Sequence, residues 1–195
     1  MGVPQFGELI LESNLTIEGN PTQMMIEGDR LVISSSINYW SLPEDSDLRT
    51  LMSEEVTATD PFSDVTYSYT KVQNLVKYTV VDITNRSSPV VEKEMYIEGN
   101  YHTARMVDGT VRSVTHLWTY FDGIRNWVEL PQEYWSEEDT DERMGIWNES
   151  VKQTVLDNEQ VISELTLDDF VPHIYEIREE GIFTHPLTYE QCTEF

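Results

Sequence analysis

Ile17-Glu18-Gly19-Asn20 recurs letter for letter as Ile97-Glu98-Gly99-Asn100, 80 residues further along the chain. Each copy runs on into two strand-like stretches around a Gly-containing turn. They are Met24 to Gly28 with Leu31 to Ser34 in the first copy, and Arg105 to Gly109 with Val111 to Thr115 in the second. A repeat of β units constrains the fold strongly, because one such unit cannot bury its faces alone and must stack on a neighbour. It constrains chemistry weakly, because turn and strand residues recur for reasons of backbone geometry.

The local patterns agree with a mainly antiparallel β chain. Glu8 to Ile17 alternates loosely and reads as a half-buried strand. Thr22 to Ile26 and Arg30 to Ile37 flank Glu27-Gly28-Asp29 and read as a tight hairpin. Residues 41–65 turn acidic and irregular and read as a surface excursion with one helical turn around Leu48 to Glu55. Strand character returns over Thr66 to Ile83, breaks at Asn85-Arg86-Ser87-Ser88-Pro89, and resumes over Val90 to Ile97. The second hairpin spans His102 to Leu117. Within 126–159 the spacing of Met144, Trp147, Val151 and Val155 predicts a helix, with Ser136 as its cap and Glu137, Glu138, Asp139, Asp141 and Glu142 near its positive end. Val161 to Leu167, Ile174 to Ile177 and Ile182 to Thr184 read as closing strands. Helices do not alternate with strands, which excludes a doubly wound or barrel α/β fold.

Composition narrows the function classes. With 36 acidic against 12 basic residues the net charge is −24, so a nucleic-acid partner is excluded by the scarcity of phosphate-binding cations. No run is long enough to cross a membrane, and Met1 to Phe6 has neither the basic region nor the apolar run of a signal peptide. Cys192 is the only cysteine, which rules out an internal disulfide.

Three further stretches carry a family resemblance. Val80-Val81-Asp82-Ile83-Thr84-Asn85-Arg86-Ser87-Ser88-Pro89 is followed by Met95-Tyr96-Ile97-Glu98-Gly99-Asn100-Tyr101 and by Arg105-Met106-Val107-Asp108-Gly109-Thr110-Val111. Together they resemble the secreted bacterial and archaeal proteins with a C-terminal β-propeller domain, whose blades show a V-x-D-I/V-x-(D/N)-x-x-x-P turn, an I-E-G-x-Y strand end and an R-M-x-x-x-x-V opening. The likeness covers about residues 8–118. It implies antiparallel four-stranded blades in a partial ring, with one acidic loop insert (41–65) and one helical insert (126–159). On this reading residues 1–195 form a single propeller segment: 8–40 and 66–118 are its repeat units and 160–195 add further strands. Two units are too few for a closed ring of four to eight blades, so the remaining blades are expected in a longer parent chain. The resemblance also implies an extracellular or cell-envelope location and a non-enzymatic scaffold whose partners are proteins or surface polymers. Two alternatives stand beside it: part of a propeller hydrolase with its catalytic groups elsewhere, or a calcium-stabilised adhesion module.

Residue by residue, the chemistry is sparse. Gly19, Gly28, Asp82, Asn85, Pro89, Gly99 and Gly109 read as structural turn residues: Gly supplies positive φ, Asp and Asn bond nearby amides, and Pro fixes a strand entry. Asp45, Asp47, Asp139 and Asp141 are the best cation candidates, with calcium as the ion, yet neither cluster has the ligand spacing of a calcium loop. No other cofactor is expected. His102 and His116 flank the second hairpin, and His173 and His185 each lie close to a proline, which predicts turns. There is no nucleophile elbow, phosphate loop or zinc-binding helix, and no catalytic residue is named. The aromatic series Trp118, Tyr120, Phe121, Trp127, Tyr134, Trp135 and Trp147 suits either a binding platform or a helix packed on a sheet, and core is the expectation.

Overall fold

The computed structural model describes residues 10–52, 55–59, 66–70, 72–118, 121 and 123–187. In chain order the elements are β1 (Asn20–Glu27), β2 (Arg30–Asn38), α1 (Asp47–Leu51), β3 (Glu55–Thr59), β4 (Thr66–Thr70), β5 (Asn74–Asp82), β6 (Val90–Glu98), β7 (Asn100–Val107), β8 (Thr110–His116), α2 (Gln132–Ser136), α3 (Thr140–Glu164), α4 (Leu167–Phe170), β9 (His173–Arg178) and β10 (Gly181–Pro186). They divide into two compact units, residues 1–54, 72–118 and 171–195 in one and 55–71 and 119–170 in the other.

The first unit is built on a six-stranded sheet in the order β1-β2-β5-β6-β9-β10, antiparallel at every step. Strand alternation sends Leu75, Lys77, Thr79 and Val81 to one face and Val76, Tyr78 and Val80 to the other. On the first face Leu75 joins Ile37, Tyr39, Leu42, Leu48, Met52, Val72, Tyr96 and Tyr175 in one core cluster. On the second, Val76 and Tyr78 join Met25, Val32 and Ala104, with Met106 and Val111 packed against them. Among the described residues β7 and β8 pair only with each other, and they cover this second face. Leu75 and Val76 are fully buried, and each contributes roughly 1.5–3 kcal/mol through the apolar surface it removes from water.

The repeat is reproduced in the backbone to the residue. β1 and β7 open at Asn20 and Asn100, with Asn20 opposite Ser36 and Asn100 opposite His116. Each hairpin carries a bulge in its first turn of pairing, at Pro21/Gln23 and at Tyr101/Thr103, and each closes after two residues, at Glu27↔Arg30 and Val107↔Thr110. All these positions keep the 80-residue offset. The offset corrects the pairing of Gly28 with Gly109: Gly28 matches Asp108. Gly28 takes φ +59° at the first turn position, whereas Asp108 and Gly109 take φ +51° and +73° at both. The two hairpins therefore use different mirror-image turns, of II′ and I′ character, to reach the same register.

Several expectations are corrected. Residues 10–17 form no strand; Ile10 and Leu11 remain exposed and pair with nothing regular (residues 8 and 9 lie outside the described residues). The acidic excursion contains a strand, β3, which pairs with β4. Thr66 to Ile83 is accordingly two strands. The helical insert holds two helices: Ser136 ends α2, and Asp139 caps α3 by accepting from the Asp141 and Glu142 amides. α3 also absorbs Val161 to Glu164, because Ile-Ser-Glu continues a helix already nucleated upstream as readily as it starts a strand. His173 and His185 stand in β9 and β10, not in turns. Among the described residues no helix is long and apolar enough to cross a membrane, and the strands close no ring.

Candidate functional site

The two repeated glutamates, 80 residues apart, each anchor a polar cluster in the first unit. Glu18 Oε2 accepts from Lys77 Nζ at 2.8 Å and from the Tyr96 hydroxyl at 2.6 Å, and Lys77 also meets Glu94 Oε1 at 2.6 Å. Glu98 accepts from the Tyr175 hydroxyl at 2.6 Å and from the His173 backbone N–H at 2.9 Å, with His173 Nδ1 at 3.3 Å. Lys77, Tyr96 and Tyr175 lie in register across β5, β6 and β9, so their side chains share one face. The Lys77 side chain is only 5% exposed.

Electrostatics in the first cluster is decided by the pairing. Burial opposes the Lys77 charge, but hydrogen bonds to Glu18 and Glu94 outweigh it and raise the ammonium pKa above the usual lysine range. Burial likewise works to raise the Glu18 carboxyl, and the Lys77 and Tyr96 hydrogen bonds overcome it and hold the carboxyl below its ordinary value. For Tyr96, burial and the hydrogen bond to Glu18 both push the phenol upward. The groups of each cluster bond to one another, which suits a structural tie. They fasten Glu18, ahead of β1, and β9, beyond β6, to the centre of the sheet.

The second unit carries a different kind of feature. Tyr134 of α2 and Thr140, Arg143, Met144 and Trp147 of α3 line an open cleft of about 340 Å³. Positions 140, 143, 144 and 147 share one stripe of the helix at spacings of three and four. Tyr134 meets Trp135 edge-on at 5.1 Å and inclines toward Trp147 at 6.2 Å between ring centroids. Trp135 is 63% exposed and Trp147 38%. α3 contains no buried residue, so the expectation of an aromatic core is overturned for its stripe. Trp118, at 79%, and Trp127 are exposed as well, while Phe121 leans on Phe170 and Tyr120 lies outside the described residues. A cleft with aromatic walls, one guanidinium and the hydroxyls of Tyr134 and Thr140 offers stacking and hydrogen bonds but no nucleophile–base pair.

With this geometry in view, comparison with known families is decisive: the family model described as Beta propeller domain matches residues 5–195. The chain belongs to the beta propeller domain family. No curated protein and no solved structure matches it.

In this propeller domain the turn residues named from the sequence have defined places. Asp82 ends β5 and its Oδ1 accepts from the Thr84 amide at 2.8 Å; hydrogen bonding from the Thr84 side chain, and then from its amide, holds the carboxyl below the ordinary pKa. Asn85 Oδ1 accepts from the Ser87 amide at 3.2 Å, and Pro89 immediately precedes β6. Gly19, Gly28, Gly99 and Gly109 all have positive φ. Of the cation candidates, Asp45 lies in the turn before α1, Asp47 opens α1, Asp139 is committed to capping α3, and Asp141 lies in its first turn. Among the described residues no three His, Cys, Asp or Glu side chains converge into a metal-binding group. His102 occupies the bulge of β7, and His116 ends β8 edge-on to Trp118 at 4.9 Å. Cys192 lies outside the described residues. The sequence reading missed the Glu18–Lys77–Tyr96 and Glu98–Tyr175 clusters, although the repeated Glu before each Gly was their visible signal.

Proposed function

We propose that this chain is a non-enzymatic interaction segment of an extracellular or envelope propeller protein, and that its helical insert binds a glycan-type surface polymer. In this reading β1-β2-β5-β6 is one four-stranded blade and β7–β8 begins the next, with further blades in a longer parent chain. The blades act as a frame, and the α2–α3 insert between β8 and β9 presents the ligand site. The observation that carries the binding role is the open cleft lined by Tyr134 and Trp147 with Arg143, in which Trp147 stays 38% exposed. Flat aromatic faces left open to water match the apolar C–H faces of pyranose rings, and Arg143 and Thr140 supply hydrogen bonds to ring hydroxyls.

Titration of the purified chain with cellohexaose, chitohexaose and hexagalacturonate, read by tryptophan fluorescence and calorimetry, tests this. Saturable binding of one of the three is expected, and Trp147→Ala is expected to weaken it at least tenfold, or about 1.4 kcal/mol. Trp40→Ala, in the first unit, should leave it unchanged. If none of the three sugars binds, or binding survives Trp147→Ala, the cleft is not the ligand site.

A further inference from the structure

Three stretches of the chain match the acceptor pattern for N-linked glycans, Asn-x-Ser/Thr with x other than Pro: Asn14-Leu15-Thr16, Asn85-Arg86-Ser87 and Asn148-Glu149-Ser150. The pattern names two side chains, the amide that receives the sugar and the hydroxyl two residues on, so a transferase must reach both at once. The fold treats the three stretches differently. Asn148 and Ser150 lie inside α3, where residues two apart stand about 200° apart around the axis and do not share a face. Asn14-Leu15-Thr16 lies in irregular chain ahead of β1, and among the described residues no hydrogen bond links its two ends.

Asn85 is held in a geometry that presents both groups. It lies in the turn between β5 and β6, where residues 84–88 are all exposed. Its Oδ1 accepts from the Ser87 amide at 3.2 Å and its carbonyl oxygen accepts from the Ser88 amide at 2.9 Å, so its side chain is folded back onto residue 87. Neither Asn85 Nδ2 nor Ser87 Oγ has a hydrogen-bond partner among the described residues. Charge favours the same place. The sugar donor for such a transfer is a lipid phosphate, which a chain of net charge −24 repels over most of its surface. Residues 83–91 contain no acid, and Arg86 stands between Asn85 and Ser87 where Glu149 stands between Asn148 and Ser150. The turn is also at a strand end, which neighbouring blades leave open because they pack on the faces of a sheet.

We infer that Asn85 is an acceptor for an N-linked glycan. Its Nδ2 attacks the anomeric carbon of an oligosaccharide carried on a polyprenyl phosphate or pyrophosphate. The new C–N bond replaces the C–O bond to phosphate, the lipid phosphate leaves with that electron pair, and the amide gives up one proton to a base of the transferase. The Ile83 amide donates to the Asp29 carbonyl at 2.8 Å, so this turn and the β1–β2 turn share one end of the sheet. Asn38 and Asn74, where the chain leaves β2 and enters β5, mark the other end. A glycan on Asn85 therefore shields the two turns and leaves the end at Asn38 and Asn74 open. The inference rests on the extracellular reading above, because lipid-linked donors are used on the outer side of a membrane.

Transfer with purified components tests the acceptor whether or not the chain is exported. The folded full chain carrying Asn14→Gln, which leaves Asn85 and Asn148, is incubated with a membrane oligosaccharyltransferase and dolichyl-pyrophosphate-linked chitobiose. Intact mass and peptide mapping give the occupancy of each site, and an Asn-Ala-Thr tripeptide shows that the enzyme is active. A single added glycan is expected, on Asn85, with Asn148 largely bare. Ser87→Ala keeps the backbone amide that bonds Asn85 and should abolish transfer, whereas Ser87→Thr should preserve it. A folded chain bare at Asn85 while the tripeptide is glycosylated, Asn148 as occupied as Asn85, or transfer that survives Ser87→Ala would overturn the inference. Whether the chain is found outside the cells that make it is measured separately, and its retention inside them would overturn the extracellular reading while the acceptor result stands.

Discussion

The β1–β2 and β7–β8 hairpins share a backbone and differ in nearly everything their side chains do. Both begin after a positive-φ glycine, bulge at the same point, turn over two residues and keep one register. Yet β2 continues into a six-stranded sheet and Val32 is buried, whereas its counterpart Arg112 faces water. The path of each hairpin is thus set by a few local rules that need little from their surroundings, and its place in the assembly by which side chains line each face. If that division holds, substitutions at the shared backbone positions act alike in both copies, and substitutions at the side-chain positions do not.

The strongest test is at the shared glycines. A Cβ on Gly19 would lie 2.7 Å from the Ser36 carbonyl oxygen and 2.7 Å from Ile37 Cγ1, and a Cβ on Gly99 would lie 2.8 Å from the His116 carbonyl oxygen. With φ at +79° and +112°, strain adds to the clash. Gly19→Ala and Gly99→Ala are each expected to cost about 2–4 kcal/mol in urea unfolding. Gly28→Ala, where φ is also positive but a Cβ meets open space, should cost only about 1–2 kcal/mol. A mild Gly99→Ala beside a severe Gly19→Ala would break the equivalence of the two copies.

Lys77 tests the opposite half of the comparison, since the ionic cluster ties into the sheet around the first copy only. Lys77→Met removes the ammonium that Glu18 and Glu94 share and is expected to cost about 1–3 kcal/mol, less than a fully buried pair because both carboxylates keep about a third of their exposure. Hydrogen exchange should quicken in β5 and β6 and stay unchanged at the turn of β7–β8. The pH dependence follows from the directions of the shifts. Glu18, depressed in the folded state, contributes stability above the unfolded carboxyl value of about 4.3 and loses it as pH falls through its lower folded pKa. Lys77, raised in the folded state, contributes below about 10.4 and loses it as pH rises through its higher folded pKa. The stability of wild type minus variant should therefore be flat between those limits and decline outside both. A flat difference at every pH would mean that Lys77 contributes packing alone.

The parts of this fold that were legible in the sequence are those governed by short-range rules. Gly28 and Asp108-Gly109 announce hairpins, Asn85 to Pro89 announces a turn, and the alternation in Val76 to Val81 announces a strand, because each depends on residues a few positions apart. β3 was hidden because Glu55 to Thr59 lies in an acidic run and becomes a strand only by pairing with β4. The exposed tryptophans were misread because Met144, Trp147, Val151 and Val155 have the spacing of a packed stripe whether or not anything packs on them. No short-range pattern marks Lys77 as a buried residue. Its partner Glu18 is 59 residues away, beyond the reach of any pattern in one sequence.

The smallest expected effect discriminates most finely between the two turns. Exchanging Gly28-Asp29 for Asp-Gly converts the first hairpin to the turn used by the second, and nothing lies within 4 Å of the position a Cβ would take at 28. That swap should change stability by no more than about 0.5 kcal/mol, because both mirror-image turns match the strand twist. The reverse swap, Asp108-Gly109 to Gly-Asp, meets a neighbour that the first hairpin lacks: Glu27 Oε2 accepts from the Gly109 amide at 2.6 Å. An aspartate at 109 sets a second carboxylate beside Glu27, and the expected cost is about 1 kcal/mol at low salt. Added salt or Glu27→Gln should remove most of it, as repulsion between exposed charges requires. If the reverse swap costs as little as the first, the turns are interchangeable in place as well as in backbone. If it costs the same with Glu27→Gln present, the penalty comes from the turn itself, and the two hairpins are less alike than their register implies.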